Sequence, residues 1–282
     1  MTVIAALRPL AKAPAEALAR VRFVLTNMDD TLTHRGRLSA RTYDALERLR
    51  DAGIPVLPVT AAPAGWADQI ARMWPVDGVI AENGGLFLRR TADGDVEHRY
   101  WHGEEERTVA AKRLEQLRQA IHAVLPEAEL ASDQPFRLCS LAFRLPSDPA
   151  LRTALVRHFR NAGAEVTVNS LWVLGWFGGY DKLGMARRVM REVHGLDIDS
   201  APETVAYAGD SVNDGPMFAH FPTSVGVSTV IAFLSDIPRP PAWITRGPGG
   251  DGFVELADAL LAARTPSPIF PEPRSAGDHH EP

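Results

Sequence analysis

Val24-Leu25-Thr26-Asn27-Met28-Asp29-Asp30-Thr31-Leu32-Thr33 joins an apolar run to a polar turn. Its first residues have the composition of a buried parallel strand. Three of the four residues from 27 to 30 then carry amide or carboxylate oxygens. Carboxylates at the end of a buried strand are costly unless a cation neutralises them. The carboxyl ends of parallel strands are also where open α/β sheets hold ligands. The stretch thus points to an α/β fold and to a polar site at one strand end.

Outward from it, a strand-then-helix rhythm recurs. Ser39 suits an N-cap for a helix closed by Gly53, residues 54–60 read as a strand ending in Thr60, and Pro63 opens another helix. A third short strand, 77–81, ends at Asn83-Gly84-Gly85. Three such units predict a doubly wound parallel sheet. The pattern then changes. Strands at 86–90 and 96–101 flank an Asp93-Gly94 hairpin turn, and helices at 104–124 and 149–162 alternate with strands at 136–145, 166–168 and 171–177. That is an α+β layer, read as an insertion. After Gly178-Gly179 the rhythm resumes with a helix from 181 and a strand at 204–208 ending in Gly209-Asp210-Ser211. Short strands at 224–227 and 242–245 follow, and a glycine-rich turn at 247–252 leads into a helix at 255–263. The expected division is a leader (1–20) with a short helix near 15–21, a first core part (21–85), the insertion (86–178), a second core part (179–263) and a disordered proline-rich tail (264–282) carrying His279-His280.

A chain of 282 residues, 45% hydrophobic and 23% charged, suits a globular protein of one or two domains. Its net charge of -5 offers no basic face for nucleic acid and no polybasic membrane anchor. Cys139 is the single cysteine, which excludes an internal disulfide; its apolar surroundings read as a buried hydrophobe. No stretch approaches the roughly 20 apolar residues of a bilayer span, and the first residues lack signal-peptide architecture. The expectation is a cytoplasmic protein with a small-molecule partner, and neither nucleic acid nor membrane.

Four polar positions recur at strand ends or a helix start: Asn27 with Asp29, Thr60, Lys182, and Asp210 with Asp214. Each alone suits a helix cap or a surface charge. Converging on one crevice, they make the inventory of a Mg²⁺-assisted phosphoryl site, in which hard oxygens hold the metal, Lys and a hydroxyl hold phosphate oxygens, and a carboxylate moves a proton.

Over residues 20–262 the sequence resembles the haloacid dehalogenase-like (HAD) phosphatases, and most closely their IIB subgroup. Asn27-Met28-Asp29-Asp30-Thr31-Leu32 aligns with the family's Asp-x-Asp-Gly-Thr-Leu, Thr60 and Lys182 with its second and third motifs, and Gly209-Asp210-Ser211-Val212-Asn213-Asp214 matches the fourth in full. The resemblance implies a Rossmann-like core with an inserted C2-type cap and Mg²⁺-dependent hydrolysis of a small phosphomonoester such as a sugar phosphate. It implies an aspartyl-phosphate at position 27, Asp29 as general acid/base and backbone metal ligand, Thr60 and Lys182 on the phosphoryl oxygens, and Asp210 and Asp214 at the metal. Asn83 and Asn213 are then supporting positions near the crevice. In the cap, Arg137 and Arg144 are candidates for a substrate anion, and Trp172 and Trp176 for a pocket floor or for sheet packing. Cap hinges are expected near Gly84-Gly85 and Gly178-Gly179.

Three departures stand out. Position 27 is Asn, a far weaker nucleophile and a neutral ligand; Ala61-Ala62 replace the subgroup's common Gly-Arg; and Asn169 to Trp176 is apolar for a substrate-facing segment. The chain as it stands is expected to be impaired in hydrolysis. Asn27 fits either a deliberate Asp-to-Asn substitution or a natural divergent paralogue. A non-catalytic binder of a phosphorylated ligand and a phosphomutase are the alternative functions.

Overall fold

A computed structural model describes residues 8–264, so His279-His280 and the rest of the tail beyond Arg264 lie outside the described residues. In chain order, β1 (Arg8–Pro9) and α1 (Ala15–Ala19) precede β2 (Phe23–Thr26). A hairpin of β3 (Thr33–His34) and β4 (Arg37–Leu38) leads to α2 (Ala40–Asp51), β5 (Val56–Pro58), α3 (Ala64–Met73) and β6 (Val79–Ala81). Next come β7 (Leu86–Arg90), β8 (Val96–Tyr100), α4 (Glu104–Val124) and β9 (Ser140–Arg144). They are followed by α5 (Pro149–Asn161), β10 (Glu165–Val168), β11 (Trp172–Trp176) and α6 (Lys182–His194). β12 (Val205–Gly209), α7 (Gly215–His220), β13 (Thr223–Gly226), β14 (Trp243–Ile244) and α8 (Gly249–Arg264) close the chain.

The central sheet has the order β1-β14-β13-β12-β2-β5, with every pairing parallel. Its strands are apolar on both faces because helices cover both. On one side Val24, Val56 and Ala206 pack beneath Leu46 and Leu49 of α2 and Leu256 and Leu260 of α8. On the other, Leu25, Leu57 and Tyr207 meet Met185 and Val189 of α6 and Phe218 of α7. Each of these large side chains contributes about 1.5–3 kcal/mol on burial. Local signals set the helix ends. Ser39 Oγ accepts from Thr42 N at 3.1 Å at the start of α2, and Gly195, at φ +63°, closes α6.

Three boundaries differ from the sequence-based expectation. Residues from Arg8 onward belong to the core rather than to a leader: β1 extends the sheet edge beside β14, and Leu10 and Leu18 are buried under α8. Two-residue strands carry too little pattern to be seen in sequence. The insertion also starts later than residue 86. β7 pairs antiparallel with β6 and β8 with β7; β6 meets the central sheet through the Val59–Ile80 bridge, and Leu86, Phe87 and Leu88 are all fully buried against α3 or the core. The chain leaves the core near His102 and returns at Gly178. There the His102 Nε2 lies 2.9 Å from the Gly178 carbonyl oxygen, so the two crossings run side by side. The first hinge expected at Gly84-Gly85 therefore lies inside the core. Finally, α8 begins at Gly249 instead of near 255. Gly250 packs where a Cβ would stand 2.2 Å from Thr42 Oγ1, so the glycines serve close packing inside a helix rather than a turn.

The inserted unit has the antiparallel sheet β10-β11-β9. Alternation along its strands sends Leu141, Phe143 and Val173 toward α4 and α5, where they meet Leu117, Ile121, Leu155 and Phe159. Ala142, Trp172 and Leu174 point the other way and pack on Ala61 of the core. The cap sheet thus roofs the loop that follows β5.

Candidate active site

β2 and β12 are neighbours, with Thr26 opposite Ala208, and Asn27 N donates to the Ala208 carbonyl at 2.8 Å. The register makes the Asn27–Asp30 loop and Asp210 emerge side by side from adjacent strand ends, although the two segments are 183 residues apart. Lys182 arrives from the first turn of α6, which Asp181 caps by accepting from Gly184 N at 2.6 Å. That helix start is seated against Gly84, whose φ is +105° and where a Cβ would lie 2.3 Å from the Asp181 carbonyl oxygen.

The buried Lys182 ammonium donates to Asn27 Oδ1 at 3.1 Å and to Asp214 Oδ1 at 2.8 Å. Asp214 Oδ1 also accepts from Tyr207 Oη at 2.6 Å, and its Oδ2 accepts from the backbone N–H groups of Asp210 and Ser211 at 2.9 and 3.1 Å. Burial alone would raise this carboxyl, but Lys182 and Tyr207 overcome it and hold Asp214 below the usual carboxylate range. With both oxygens held by donors, Asp214 is placed as the counter-ion of Lys182 and the clamp of the 210–214 turn. The expectation that it ligates a metal is corrected on that ground.

Asp210 Oδ1 accepts from Asn27 Nδ2 at 2.8 Å and from Thr31 Oγ1 at 2.6 Å. Asn27 Nδ2 donates a second bond, 3.0 Å, to the Asp29 carbonyl oxygen. Burial, and then the neighbouring Asp214 charge, push Asp210 upward. Burial, and then Asp30, push Asp29 up to about 6. Four carboxylates with one ammonium among them leave this corner short of positive charge.

Asn27, Asp29, Asp210 and Asn213 line a cavity of about 410 Å³, closed on the cap side by Val168 and Ser170. Asn213 Nδ2 donates to Asn83 Oδ1 at 3.0 Å, so Asn83 supports the floor without lining it. Thr60 is buried close by, its Oγ1 accepting from Ala62 N at 3.0 Å. The cap candidates sit elsewhere. Arg137 is buried between Asp133 at 3.1 Å and the Ala61 carbonyl at 2.9 Å, beneath the Trp172 ring. Arg144 pairs with Glu129 and is 76% exposed. Trp172 lies edge-on to Trp66, and Trp176 stacks on Tyr180 while its Nε1 donates to the Tyr180 carbonyl. None of these four lines the cavity; Arg137, Trp172 and Trp176 fasten the cap to the core, and Arg144 stays on the cap surface. Cys139 is pushed up by burial and by Glu82, which suits a buried thiol and not a nucleophile.

Sequence reasoning passed over two residues of consequence. Glu82, fully buried at the end of β6 with φ +49°, accepts from Ala64 N, Leu138 N, Cys139 N and Ser140 Oγ at 2.6–3.1 Å. It joins the start of α3 to the cap. The signal was an acidic residue directly after a buried strand. The other is Arg152, a cavity-lining residue of α5 with no motif around it.

Whether this corner fits Mg²⁺ turns on the Asn27 amide. Its oxygen faces the Lys182 ammonium, and its nitrogen faces the Asp210 carboxylate and the Asp29 carbonyl. Turning the amide over would set NH₂ against NH₃⁺ and oxygen against two oxygens, so the orientation is locked. An N–H donor therefore points at both remaining candidate metal ligands. Among the described residues no group of three acidic, His or Cys side chains is arranged to hold a metal. The residues present do not fit a resident Mg²⁺.

The fold and site define a class, an α/β core with an acidic corner beneath an inserted cap. No protein-family model matches the chain. A curated phosphoglycolate phosphatase of Pyrobaculum neutrophilum is 26% identical over 263 residues, 88% of this chain and 99% of the relative. A solved structure from Thermoplasma acidophilum superposes with a TM-score of 0.65 at 18% identity, covering 86% of this chain and 98% of that one. The sucrose-phosphatase of Synechocystis, solved with sucrose and phosphate, gives 0.61 at 14% identity over 85% and 97%. A HAD-superfamily phosphatase of Bacteroides thetaiotaomicron gives 0.60 at 18% identity over 90% and 98%. The chain shares the fold of these solved structures, a HAD-superfamily phosphatase among them. No helix among the described residues is long and apolar enough to cross a membrane.

Proposed function

We propose that the cavity binds a small phosphomonoester and is a phosphatase site whose hydrolytic step Asn27 has disabled. The observation that carries this is the convergence of Asn27, Asp29 and Asp210 on one cavity, backed by Lys182. The phosphoryl group sits at that corner, with Lys182 and Thr60 as its cationic and hydroxyl partners and Asp29 as the proton donor to the leaving oxygen. A carboxyl near 6 suits that task, since it still holds a proton in part of the population near neutrality. The named activities of the relatives, on phosphoglycolate and sucrose phosphate, support a small phosphorylated sugar or organic acid as substrate.

Mg²⁺ dependence belongs to the Asn27→Asp variant. A carboxylate is isosteric with the amide, keeps one oxygen on Lys182 and places the other where the amide nitrogen now meets Asp210 and the Asp29 carbonyl. The test compares the chain with its Asn27→Asp variant on a panel of sugar phosphates with Mg²⁺. Phosphate release is expected to rise about a hundredfold or more, the scale of restoring one group that acts on the transition state. A variant that binds phosphosugars but stays inactive overturns the hydrolytic reading. It would leave the second one, a binder of phosphorylated ligands, which the locked amide favours.

A further inference from the structure

The cap carries an arginine that nothing among the described residues satisfies. Arg152 lies in the second turn of α5, half-buried, and lines the same cavity as Asn27, Asp29 and Asp210. It is the one cation among the described residues that do so. Among the described residues its guanidinium makes no ion pair, hydrogen bond or ring contact. Of the other cap arginines, Arg137 is held by Asp133, Arg144 by Glu129, Arg118 by Glu115 and Arg113 over the Phe177 ring, while Arg157 and Arg160 are exposed to solvent outside the cavity.

The surroundings sharpen the point. Leu145 and Val168 line the cavity with it, and their apolar walls strengthen the field of a charge that lacks a partner. The cavity, at about 410 Å³, has the size that encloses a whole small ligand rather than a phosphoryl group alone. Lys182 backs the corner from the core without lining the cavity, and Arg152 lines it from the cap, so a ligand with two anionic groups can engage both. The planar fork of an arginine matches carboxylate and phosphate alike.

We propose that Arg152 forms a second anion subsite, so that the pocket takes a phosphomonoester whose organic part carries a further negative group, a carboxylate or a second phosphate. This rests on the phosphomonoester reading above. Arg157 and Arg160 face the adjoining outer groove, where Arg152 and Val168 also reach, and they serve as the control for long-range attraction.

The test is calorimetric binding to the chain as it stands, which needs no turnover, with sorbitol phosphate, phosphogluconate and sorbitol bisphosphate as probes. The first two differ by a carboxylate in place of a hydroxymethyl group, and the third separates phosphate from carboxylate. At least about tenfold tighter binding of one or both doubly anionic probes is expected, on the scale of a charge-assisted pair. Arg152→Gln, which keeps the side chain's polarity, should erase that preference, and Arg152→Lys should retain part of it. The Arg157→Ala/Arg160→Ala double variant should keep the ratio within about twofold, since exposed charges are screened. Binding of sorbitol phosphate with no preference, or a preference that survives Arg152→Gln, overturns the subsite and leaves the phosphomonoester reading standing. No binding of any probe, inorganic phosphate included, overturns both.

Discussion

Asn27 and Asp214 differ by one atom in their side chains and hold opposite positions around Lys182. Asp214 neutralises the ammonium, whereas Asn27 offers it only a carbonyl dipole. Replacing Asp214 with Asn would leave Lys182 buried and unpaired and would set amide N–H groups against the backbone donors of Asp210 and Ser211. Asp214→Asn is expected to cost about 3–5 kcal/mol, read from the shift of the urea midpoint. Tyr207→Phe removes one neutral donor from the same carboxylate and should cost about 1–2 kcal/mol in the same measurement. Asn27→Asp acts on function instead. Calorimetry should show Mg²⁺ binding that the Asn27 chain lacks at the same concentrations, independently of any turnover.

Between elements, the site depends on close approaches that a pattern of apolar residues does not encode. Gly84 adopts a left-handed backbone and touches the carbonyl of Asp181, the residue that starts α6. Gly84→Ala adds strain at φ +105° and pushes the helix start outward, and Lys182 with it. It should lower stability by about 1–3 kcal/mol and also weaken inorganic phosphate binding, which a purely destabilising change far from Lys182 would not do. Glu82 links α3 to the segment before β9 through four accepted hydrogen bonds. Glu82→Gln turns one acceptor oxygen into a donor facing N–H groups. Faster amide exchange at 138–140 and a loss of about 2–3 kcal/mol are expected.

At the scale of the whole molecule, the cap is tied unevenly. On one side Glu82 and the Arg137–Ala61 contact fasten it to the core, and Trp172 packs on Ala61. Over the cavity the ties are single polar bonds, Ser170 Oγ to Asp30 Oδ2 at 2.8 Å and Thr167 Oγ1 to Asn213 Oδ1 at 3.4 Å. Bonds of this kind at a partly exposed rim contribute little each, so opening there is cheaper than on the fastened side. Hydrogen exchange with and without a phosphosugar should therefore show protection gained at 168–171 and little change at 138–140. Equal protection at both segments would mean that the cap moves as one rigid lid.

The strand-helix rhythm, the acidic end of β2 and the hexapeptide from Gly209 to Asp214 are legible in the sequence, because periodicity, caps and turn chemistry act over a few residues. The sequence also placed Asn27, Asp29, Lys182 and Asp210 in one crevice, since strand ends of a parallel sheet converge. Tertiary structure alone decided the rest. The antiparallel pairing of β7 with β6 moved the cap boundary, and β1 joined the sheet through a partner more than 230 residues away. Lys182 and Asp210 together locked the Asn27 amide, and donors from Tyr207, Asp210 and Ser211 turned Asp214 away from metal binding. Arg152 shares a cavity with Asp29 because the cap that carries α5 folds back over the core. Such contacts are set by how elements pack across the molecule, and no local pattern carries that information.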